Sequence, residues 1–471
     1  MQRRVHSRTG QRSILGRGIL ERGILTAIVG ALALAGACTT SGAPDVATSG
    51  APAGAQDPQG APAADAMSAV AESYVRLVLA LGTHDADYVD AYYGPPAWRT
   101  EAEAAKPPVD TIRARARALV ARLGDAPPAG ADSLERLRHS YLRKQLGALI
   151  GRTDMLLGRK LSFDEESRLL YDAVAPTHDA AHFQAILDRL DRVLPGQGPV
   201  AERYQAFRQA FVIPAARVDP VFRAAVDACR SRTQRHVALP AGESFVIEYV
   251  TGKPWSGYNW YKGNYHSLIQ VNTELPIFID RALDLACHEG YPGHHVYNAS
   301  LEQALVKGRG WVEFSVYPLF SPQSLVAEGS ANYGVEVAFP GDARVRFERD
   351  SLFPLAGLDP SRAATYYQVQ DLVRELAYAG NEAARRYLNG EIDGAAAARW
   401  LVQYALMSPA AAAQRVRFFD TYRSYVINYN LGQDIVRRWV EREAGPDATP
   451  DRRWAVFTAL LSSPRLPSDL Q

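Results

Sequence analysis

The segment that decides the architecture reads IDRALDLACHEGYPGHH over residues 279–295. Its first part, residues 279–287, repeats apolar side chains at helical spacing and predicts a helix that leads into His288 and Glu289. In metal-binding helices of the His-Glu type, one His binds the ion, the next Glu polarises a water, and a second His follows one turn later. Here the position one turn later is Pro292, which cannot coordinate a metal, so the ordinary spacing fails.

Pro292 and Gly293 predict a distortion of this helix. Pro292 would remove the hydrogen bond back to the carbonyl of His288, and Gly293 loosens the backbone further. Such a distortion brings His294 or His295 round toward His288. On an undistorted helix, the side chain of His295 would point in nearly the same direction as that of His288, about two turns away. His294 would point in a different direction but would lie closer to His288 along the helix axis. We predict that His294 is the second ligand of a metal held by His288.

The third ligand is expected from a later helix-like stretch, LVAEGSANYGVE over residues 325–336. Glu328 is the predicted ligand, and Glu336 is predicted to orient a histidine by accepting its hydrogen bond. Glu289 is the predicted catalytic base, and imidazole ligands favour zinc over harder metals. The alternative interpretation is that Pro292 and Gly293 end a helix and that the histidines are exposed polar caps.

The segment just before the motif favours strands within an otherwise helical chain. Residues 243–250 and 267–272 are rich in β-favouring side chains, and residues 251–263 between them are rich in turn formers and aromatics. The sequence therefore predicts a mainly α fold of the α+β class. It comprises a large helical body with a small antiparallel sheet of two or three strands beside the motif helix. The strand Ser267–Asn272 is placed to hold an extended substrate, or else it belongs to a hairpin that covers the core.

The N-terminus predicts export. Six Arg and one acid lie in residues 1–37, which end in a 14-residue apolar run that is too short to cross a bilayer comfortably. We predict a signal peptide over 1–37, lipidation of Cys38 and a disordered tether over 38–66, because the tether composition cannot bury a core. A plain cleavable signal with an incidental Cys38 is the alternative. Two further regions are predicted, an N-terminal helical region over 67–240 and a catalytic region over 241–465.

Bulk properties of the 471-residue chain exclude one class of partner. The net charge is +1, and basic residues are not gathered with aromatics as a nucleic-acid groove requires. No nucleic acid is therefore expected, and membrane contact is expected only through the anchor at Cys38. The other two cysteines, Cys229 and Cys287, could form one disulfide in an oxidising compartment. We expect instead that each is a small buried residue.

Three motifs resemble a known family. The string His288–His295 resembles the HExxPGHH signature of a bacterial family of predicted lipoproteins labelled domain of unknown function 885, which is similar in outline to zincin-type metallopeptidases. Residues 328–333 resemble its EGWAxY element, with Ser330 in place of Trp. Residues 428–432 resemble its SYxxG element, without the Pro-Gly-Gln-Ala that usually precedes it. The resemblance implies a mostly helical fold over about 67–460.

Together these features predict a zinc-dependent hydrolase of the cell envelope, most simply a metallopeptidase that cleaves extended peptides. Zinc would be held by His288, His294 and Glu328, Glu289 would move the proton, and Tyr429 would donate to the developing oxyanion. Two alternatives remain, a non-catalytic helical envelope lipoprotein that binds or scaffolds, and a metal-dependent amidase or esterase. In the catalytic interpretation, Tyr425 is the reserve donor.

Overall fold

The computed structural model describes residues 63–253 and 255–471, with side chains from residue 66 onward. The predicted signal peptide, Cys38 and most of the predicted tether lie outside these residues. The described residues belong to one compact unit. Within them, no helix combines the length and the apolar character that a membrane span requires.

Helices dominate the part of the chain before residue 240, and they follow the apolar periodicity of the sequence. The longest of them begins at a capping box in which Asp132 and Glu135 satisfy each other's backbone N–H groups, each at 2.8 Å. The helices are α1 (Ala63–Gly82), α2 (Pro96–Ala105), α3 (Val109–Leu123), α4 (Ser133–Leu156), α5 (Phe163–Tyr171), α6 (Ala180–Asp191), α7 (Val200–Gln209) and α8 (Val218–Thr233).

Two small sheets flank the motif. Their strands are β1 (Val89–Tyr92), β2 (Ser244–Val250), β3 (Gly257–Gly263), β4 (His266–Asn272) and β5 (Val316–Pro318). Strands β2, β4 and β3 form one sheet in that order, in which β3 and β4 are antiparallel and β2 runs parallel to β4. Strands β1 and β5 form a separate antiparallel pair, which the sequence did not predict. The expectation of a mainly α fold with a small sheet is confirmed.

The sheet order corrects one expectation about substrate binding. The stretch Ser267–Asn272 lies in β4, and β4 is the central strand with partners on both sides. Its backbone groups are therefore already paired, so it cannot add a further extended chain. The edge strands of this sheet are β2 and β3, and Asn259 on β3 donates to the backbone carbonyl of Glu289 in the motif.

Helices return after the sheet and carry the rest of the core. A π-helical turn, Ala286–Gly290, continues directly from the first of these helices. The helices are α9 (Ile279–Leu285), α10 (His294–Leu301), α11 (Pro322–Ala338), α12 (Ala343–Phe347), α13 (Phe353–Ala356), α14 (Ala363–Glu375), α15 (Ala379–Leu388), α16 (Gly394–Tyr404), α17 (Pro409–Tyr422), α18 (Ile427–Ala444), α19 (Pro450–Leu461) and α20 (Pro467–Leu470).

A disulfide ties the motif to the N-terminal helices. Cys229 on α8 and Cys287 in the π-helical turn are bonded, with their Cα atoms 5.6 Å apart. The expectation of two separate buried thiols is therefore wrong, because the fold brings the two side chains within bonding distance. Both residues are fully buried, and Cys287 immediately precedes His288. The covalent link thus constrains the backbone that presents the motif histidine.

Helices α11 and α18 approach closely through two glycines. A Cβ on Gly329 would lie 2.4 Å from the carbonyl carbon of Gly432, which no side chain can tolerate. Small residues at a helix crossing let the two backbones come together. This contact sets the tyrosine-bearing start of α18 beside Glu328 on α11.

Candidate metal centre

The predicted distortion of the motif helix is a π-helical turn followed by a break. His288 and Glu289 lie in this turn, and a cis peptide bond joins Tyr291 to Pro292. The N–H of Gly293 donates to the carbonyl of Cys287 at 2.9 Å, and α10 then begins at His294. A Cβ on Gly293 would lie 1.8 Å from the His288 carbonyl oxygen, so only glycine fits this close return of the chain.

The break places three predicted ligands together. The two Nε2 atoms of His288 and His294 lie 3.1 Å apart. Oε2 of Glu328 lies 3.3 Å from Nε2 of His288 and 3.7 Å from Nε2 of His294. Tetrahedral zinc with bonds of about 2.05 Å separates its ligand atoms by about 3.3 Å. The three atoms therefore have the spacing of three corners of a zinc site.

Glu328 gives a second indication that the cluster fits a cation. Its Oε2 is buried, and no hydrogen-bond donor in the described chain is directed at it. Burial alone would raise the pKa of Glu328, but His288 and His294 lower it well below the usual range. An ionised, buried and unsatisfied oxygen between two imidazoles is the environment that a metal ligand needs.

His288 and Glu328 are oriented by neighbours on α11 and near α18. Nδ1 of His288 lies 2.9 Å from Oδ1 of Asn332, and Nδ2 of Asn332 donates to the Tyr429 carbonyl at 2.9 Å. Since the carbonyl fixes the amide orientation, Nδ1–H of His288 donates and Nε2 keeps its lone pair for the cluster. The hydroxyl of Tyr425 donates to Oε1 of Glu328 at 2.8 Å.

Asn332 therefore takes the role that the sequence assigned to Glu336. The carboxylate of Glu336 instead binds Arg437 and Gln433, so the prediction for Glu336 is wrong. Eight residues along a helix correspond to a rotation of about 80° relative to Glu328, which turns Glu336 away from the cluster. Asn332 is only one turn beyond Glu328, and this spacing is the sequence signal that could have identified it.

The other motif histidine, His295, has a different role. It is fully buried, with Nε2 at 3.0 Å from Oε2 of Glu243 and Nδ1 at 2.9 Å from Oγ of Ser267. Glu243 precedes β2 and Ser267 lies on β4, so His295 joins α10 to the sheet. The structure thus brings His294 to the cluster, while His295 pairs with the sheet.

Glu289 lines the same cavity as the cluster and is 4% exposed. Burial raises the pKa of its carboxyl group. Strand β3 leaves room for this side chain, because a Cβ on Gly257 would lie 3.0 Å from Oε1 of Glu289. Asn259 on β3 donates to the Glu289 backbone carbonyl at 2.7 Å. Strand β3 thus both admits the predicted base and holds its backbone.

The two candidate tyrosines differ in whether the hydroxyl group can donate a hydrogen bond to a substrate in the cavity. Tyr425 has its hydroxyl on Glu328, so it serves the cluster rather than the open cavity. Tyr429 lines the cavity, and burial followed by the charge of Glu328 raises the pKa of its hydroxyl well above the usual value. Tyr429 is therefore protonated at neutral pH and can donate a hydrogen bond.

The cavity measures about 200 Å³ and is lined by acids and aromatics. Sequence reasoning missed Asp90 on β1 and Tyr258 on β3, which meet through a hydrogen bond from the Tyr258 hydroxyl to the Asp90 carboxylate. Burial raises the pKa of Asp90 to about 6. The aromatic residues that line the cavity are Trp255, Tyr258, Trp260, Tyr317, Phe418, Tyr422, Tyr425 and Tyr429.

Comparison with known proteins finds solved structures that are similar to this chain only at low sequence identity. No protein-family model and no curated protein matches the chain. A solved structure described as "the putative lipoprotein from Colwellia psychrerythraea" is 14% identical with a TM-score of 0.45, covering 75% of this chain and 69% of that chain. Another, described as "a putative lipoprotein of unknown function from Shewanella oneidensis", is 12% identical with a TM-score of 0.39, covering 77% and 75% respectively. Neither description names a metal, a substrate or an activity.

Proposed function

We propose that this protein is a zinc-dependent hydrolase, and specifically a metallopeptidase that acts on extended peptides. One observation carries the proposal. Two imidazoles and the unsatisfied carboxylate oxygen of Glu328 converge at ligand spacing beside the buried Glu289, in a cavity open to a substrate. His288, His294 and Glu328 would hold the ion, which leaves a fourth position for water or substrate.

Glu289 and Tyr429 supply the proton and hydrogen-bond chemistry of the proposed reaction. When bound, zinc supplies Lewis acidity, which makes water more acidic and polarises a carbonyl. Glu289 accepts the proton of the attacking water and delivers it to the leaving nitrogen, a task suited to a carboxyl group whose pKa burial has raised. The protonated hydroxyl of Tyr429 donates to the oxygen on which negative charge develops.

Strand β3 is the element that would align a peptide. It is an edge strand, and Gly257, Tyr258, Asn259 and Trp260 line the cavity beside Glu289. An extended chain beside such an edge is held by backbone hydrogen bonds that do not depend on its side chains. This feature favours a peptide over the amide and ester substrates of the alternative hydrolase.

The proposed location is the cell envelope. A lipid anchor at Cys38, after a signal peptide over 1–37, would tether the enzyme on the periplasmic or outer-membrane face. Both features lie outside the described residues and stay predictions of the sequence. The disulfide between Cys229 and Cys287 is of the kind that persists in oxidising compartments, which is compatible with export.

The conservative variant Glu289→Gln tests the proposed activity. It keeps the shape of the side chain but removes the base, so peptide cleavage is expected to fall by about 10²- to 10⁴-fold. The measurement is cleavage of a peptide library by zinc-loaded wild type and variant, with zinc content determined on the same samples. The variant should retain zinc, because Glu289 is not one of the three clustered ligands.

Glu248→Gln on β2 provides the matched control, because Glu248 is an exposed acid away from the cavity. Its activity should equal that of wild type. Normal cleavage by Glu289→Gln would overturn the assignment of the base. Wild type that cleaves amides or esters but no peptide would favour the alternative hydrolase, and absence of both cleavage and zinc would favour a binding lipoprotein.

A further inference from the structure

Asp90 reaches the cavity because of an irregularity in strand β1. Val89 pairs with Pro318 and Ala91 pairs with Tyr317, so Asp90 is an extra residue without a partner on β5. Such a bulge redirects side chains, and bulges are frequent beside active sites. Here Val89 and Asp90 both line the cavity, whereas Ala91 is buried in the core. In a regular strand, neighbouring side chains would point to opposite faces.

The Asp90 carboxylate is held in place but is not neutralised. The hydroxyl of Tyr258 donates to Oδ1 of Asp90 across the gap between β1 and β3. Among the described residues, no Lys, Arg or His forms an ion pair with Asp90. A neutral hydroxyl orients a carboxylate and leaves its negative charge available for another partner.

The charges around the cavity also favour a cationic partner. Its described lining includes the inner-wall carboxylates of Asp90, Glu289 and Glu328 and contains neither Lys nor Arg. Asp87 lies at the exposed rim, where water and salt screen its charge. A divalent ion would offset the charge of its ligand Glu328, whereas Asp90 is not one of the three clustered residues and keeps its own charge. This negative charge at the inner wall would then remain, and a poorly solvated charge of this kind is stabilised by an ion-pair partner.

We propose that Asp90, oriented by Tyr258, binds a primary ammonium group of the substrate beside the cluster of His288, His294 and Glu328. The inference rests on the proposed peptidase function and gives it a substrate class, peptides that present an ammonium group close to the scissile bond. A free amino terminus supplies such a group, which would make cleavage occur near the start of the chain. A lysine side chain supplies the same chemistry from another position.

Three kinds of peptide substrate test the proposal. They are tetra-alanine, its N-acetylated form, and N-acetylated tetrapeptides in which one lysine replaces alanine at each position in turn. Zinc-loaded wild type is expected to cleave tetra-alanine at least tenfold better, in kcat/KM, than its acetylated form. Asp90→Asn should lower kcat/KM for the free-amine peptide by about 10- to 100-fold, because a charge-assisted hydrogen bond is lost. For the acetylated peptide, Asp90→Asn should change kcat/KM by less than about threefold, because this peptide has no ammonium group for Asp90 to bind. If a lysine restores efficient cleavage of an N-acetylated peptide, the ammonium group that Asp90 binds belongs to a substrate side chain rather than to the amino terminus.

Two further variants separate the proposed contact from general effects. Tyr258→Phe keeps the carboxylate but removes its hydrogen bond, so it should raise KM for tetra-alanine by a larger factor than it raises KM for the acetylated peptide. Asp87→Asn removes a charge from the exposed rim of the same cavity and should keep the wild-type preference. Thermal unfolding of each variant reports whether the fold is intact.

Calorimetric binding to the Glu289→Gln protein distinguishes failure of the subsite from failure of the peptidase. Tetra-alanine should bind this protein at least tenfold more tightly than its acetylated form, and the preference should disappear when Asp90→Asn is added. Equal binding and equal cleavage of free, acetylated and lysine-containing peptides would overturn the proposal. Absence of all cleavage with preferential binding of the free amine would instead reject only the peptidase.

Discussion

At the residue scale, folding raises the pKa of the His294 imidazole far above its usual value. Burial disfavours its charged form, but the carboxylate of Glu328, whose Oε2 lies 3.7 Å from Nε2 of His294, outweighs burial and raises the pKa of His294 to about 9. Glu328 has a lowered pKa and therefore stays ionised at neutral pH. Without a metal, the pair is thus an imidazolium and a carboxylate, and zinc binding requires the imidazole to lose its proton.

This raised pKa predicts how the stability of the metal-free protein depends on pH. A histidine whose pKa rises from 6.5 to about 9 on folding stabilises the fold fully below pH 6.5, and the contribution disappears as pH rises through 9. The free energy of unfolding of chelator-treated protein should therefore fall by about 3 kcal/mol across this interval. Denaturant unfolding at several pH values measures it.

His294→Gln is the matched comparison, because it removes the titrating group and should flatten this part of the pH profile. Excess zinc should also remove the decline in the wild type, since the bound ion replaces the proton. Identical pH profiles for chelator-treated wild type and His294→Gln would contradict the assigned contact between His294 and Glu328.

Sequence reasoning nominated some site residues and missed others for physical reasons. His288, Glu289 and Glu328 carry recognisable chemistry within helical patterns, so their residue types and spacing were informative. Asp90 was missed because it lies in a short strand whose bulge depends on pairing with β5, which a single sequence does not show. Asn332 is not evident from the sequence, because a carboxylate such as that of Glu336 is a more common acceptor for a metal-binding imidazole than a neutral amide.

At the element scale, the crossing of α11 and α18 determines whether the tyrosines reach the cluster. Gly329 and Gly432 are in backbone contact there, and Tyr425 and Tyr429 lie at the start of α18 or just before it. Gly329→Ala is expected to push the helices apart and lower the free energy of unfolding by about 1–3 kcal/mol. Chemical unfolding measures this loss.

Gly147→Ala is the matched control within a helix. Gly147 lies inside α4, and a Cβ added there meets nothing within 4 Å. Because alanine favours helix, this substitution should stabilise the protein by up to about 1 kcal/mol. Equal effects of Gly147→Ala and Gly329→Ala would show that the crossing is not tightly packed.

The elements were predicted unevenly. The distortion after His288 followed from Pro292 and Gly293, but its form as a π-helical turn did not, because Pro and Gly disrupt a helix without specifying how the chain rearranges. Strands β2 and β4 followed from β-favouring residues, whereas the central position of β4 did not, because strand order depends on contacts distant in sequence. The pair of β1 and β5 has too few residues to produce a readable alternation.

At the scale of the whole molecule, the cavity is assembled from both predicted regions. Asp90 comes from the region 67–240, whereas the cluster and Glu289 come from 241–465. The buried ion pair between Arg138 and Glu313, at 2.5 Å, joins the same two regions. Composition and periodicity could predict a helical body with a small sheet, but not this joint construction, because no local pattern specifies which distant surfaces pack together.

The zinc content of the purified full-length protein tests the central claim most directly. After loading with zinc and dialysis, wild type should retain one zinc ion per chain, whereas Glu328→Ala should retain well under half of that amount. Glu336→Ala, on the same helix but turned toward Arg437, should retain the wild-type amount. Zinc-free wild type, or equal zinc in wild type and Glu328→Ala, would contradict the account.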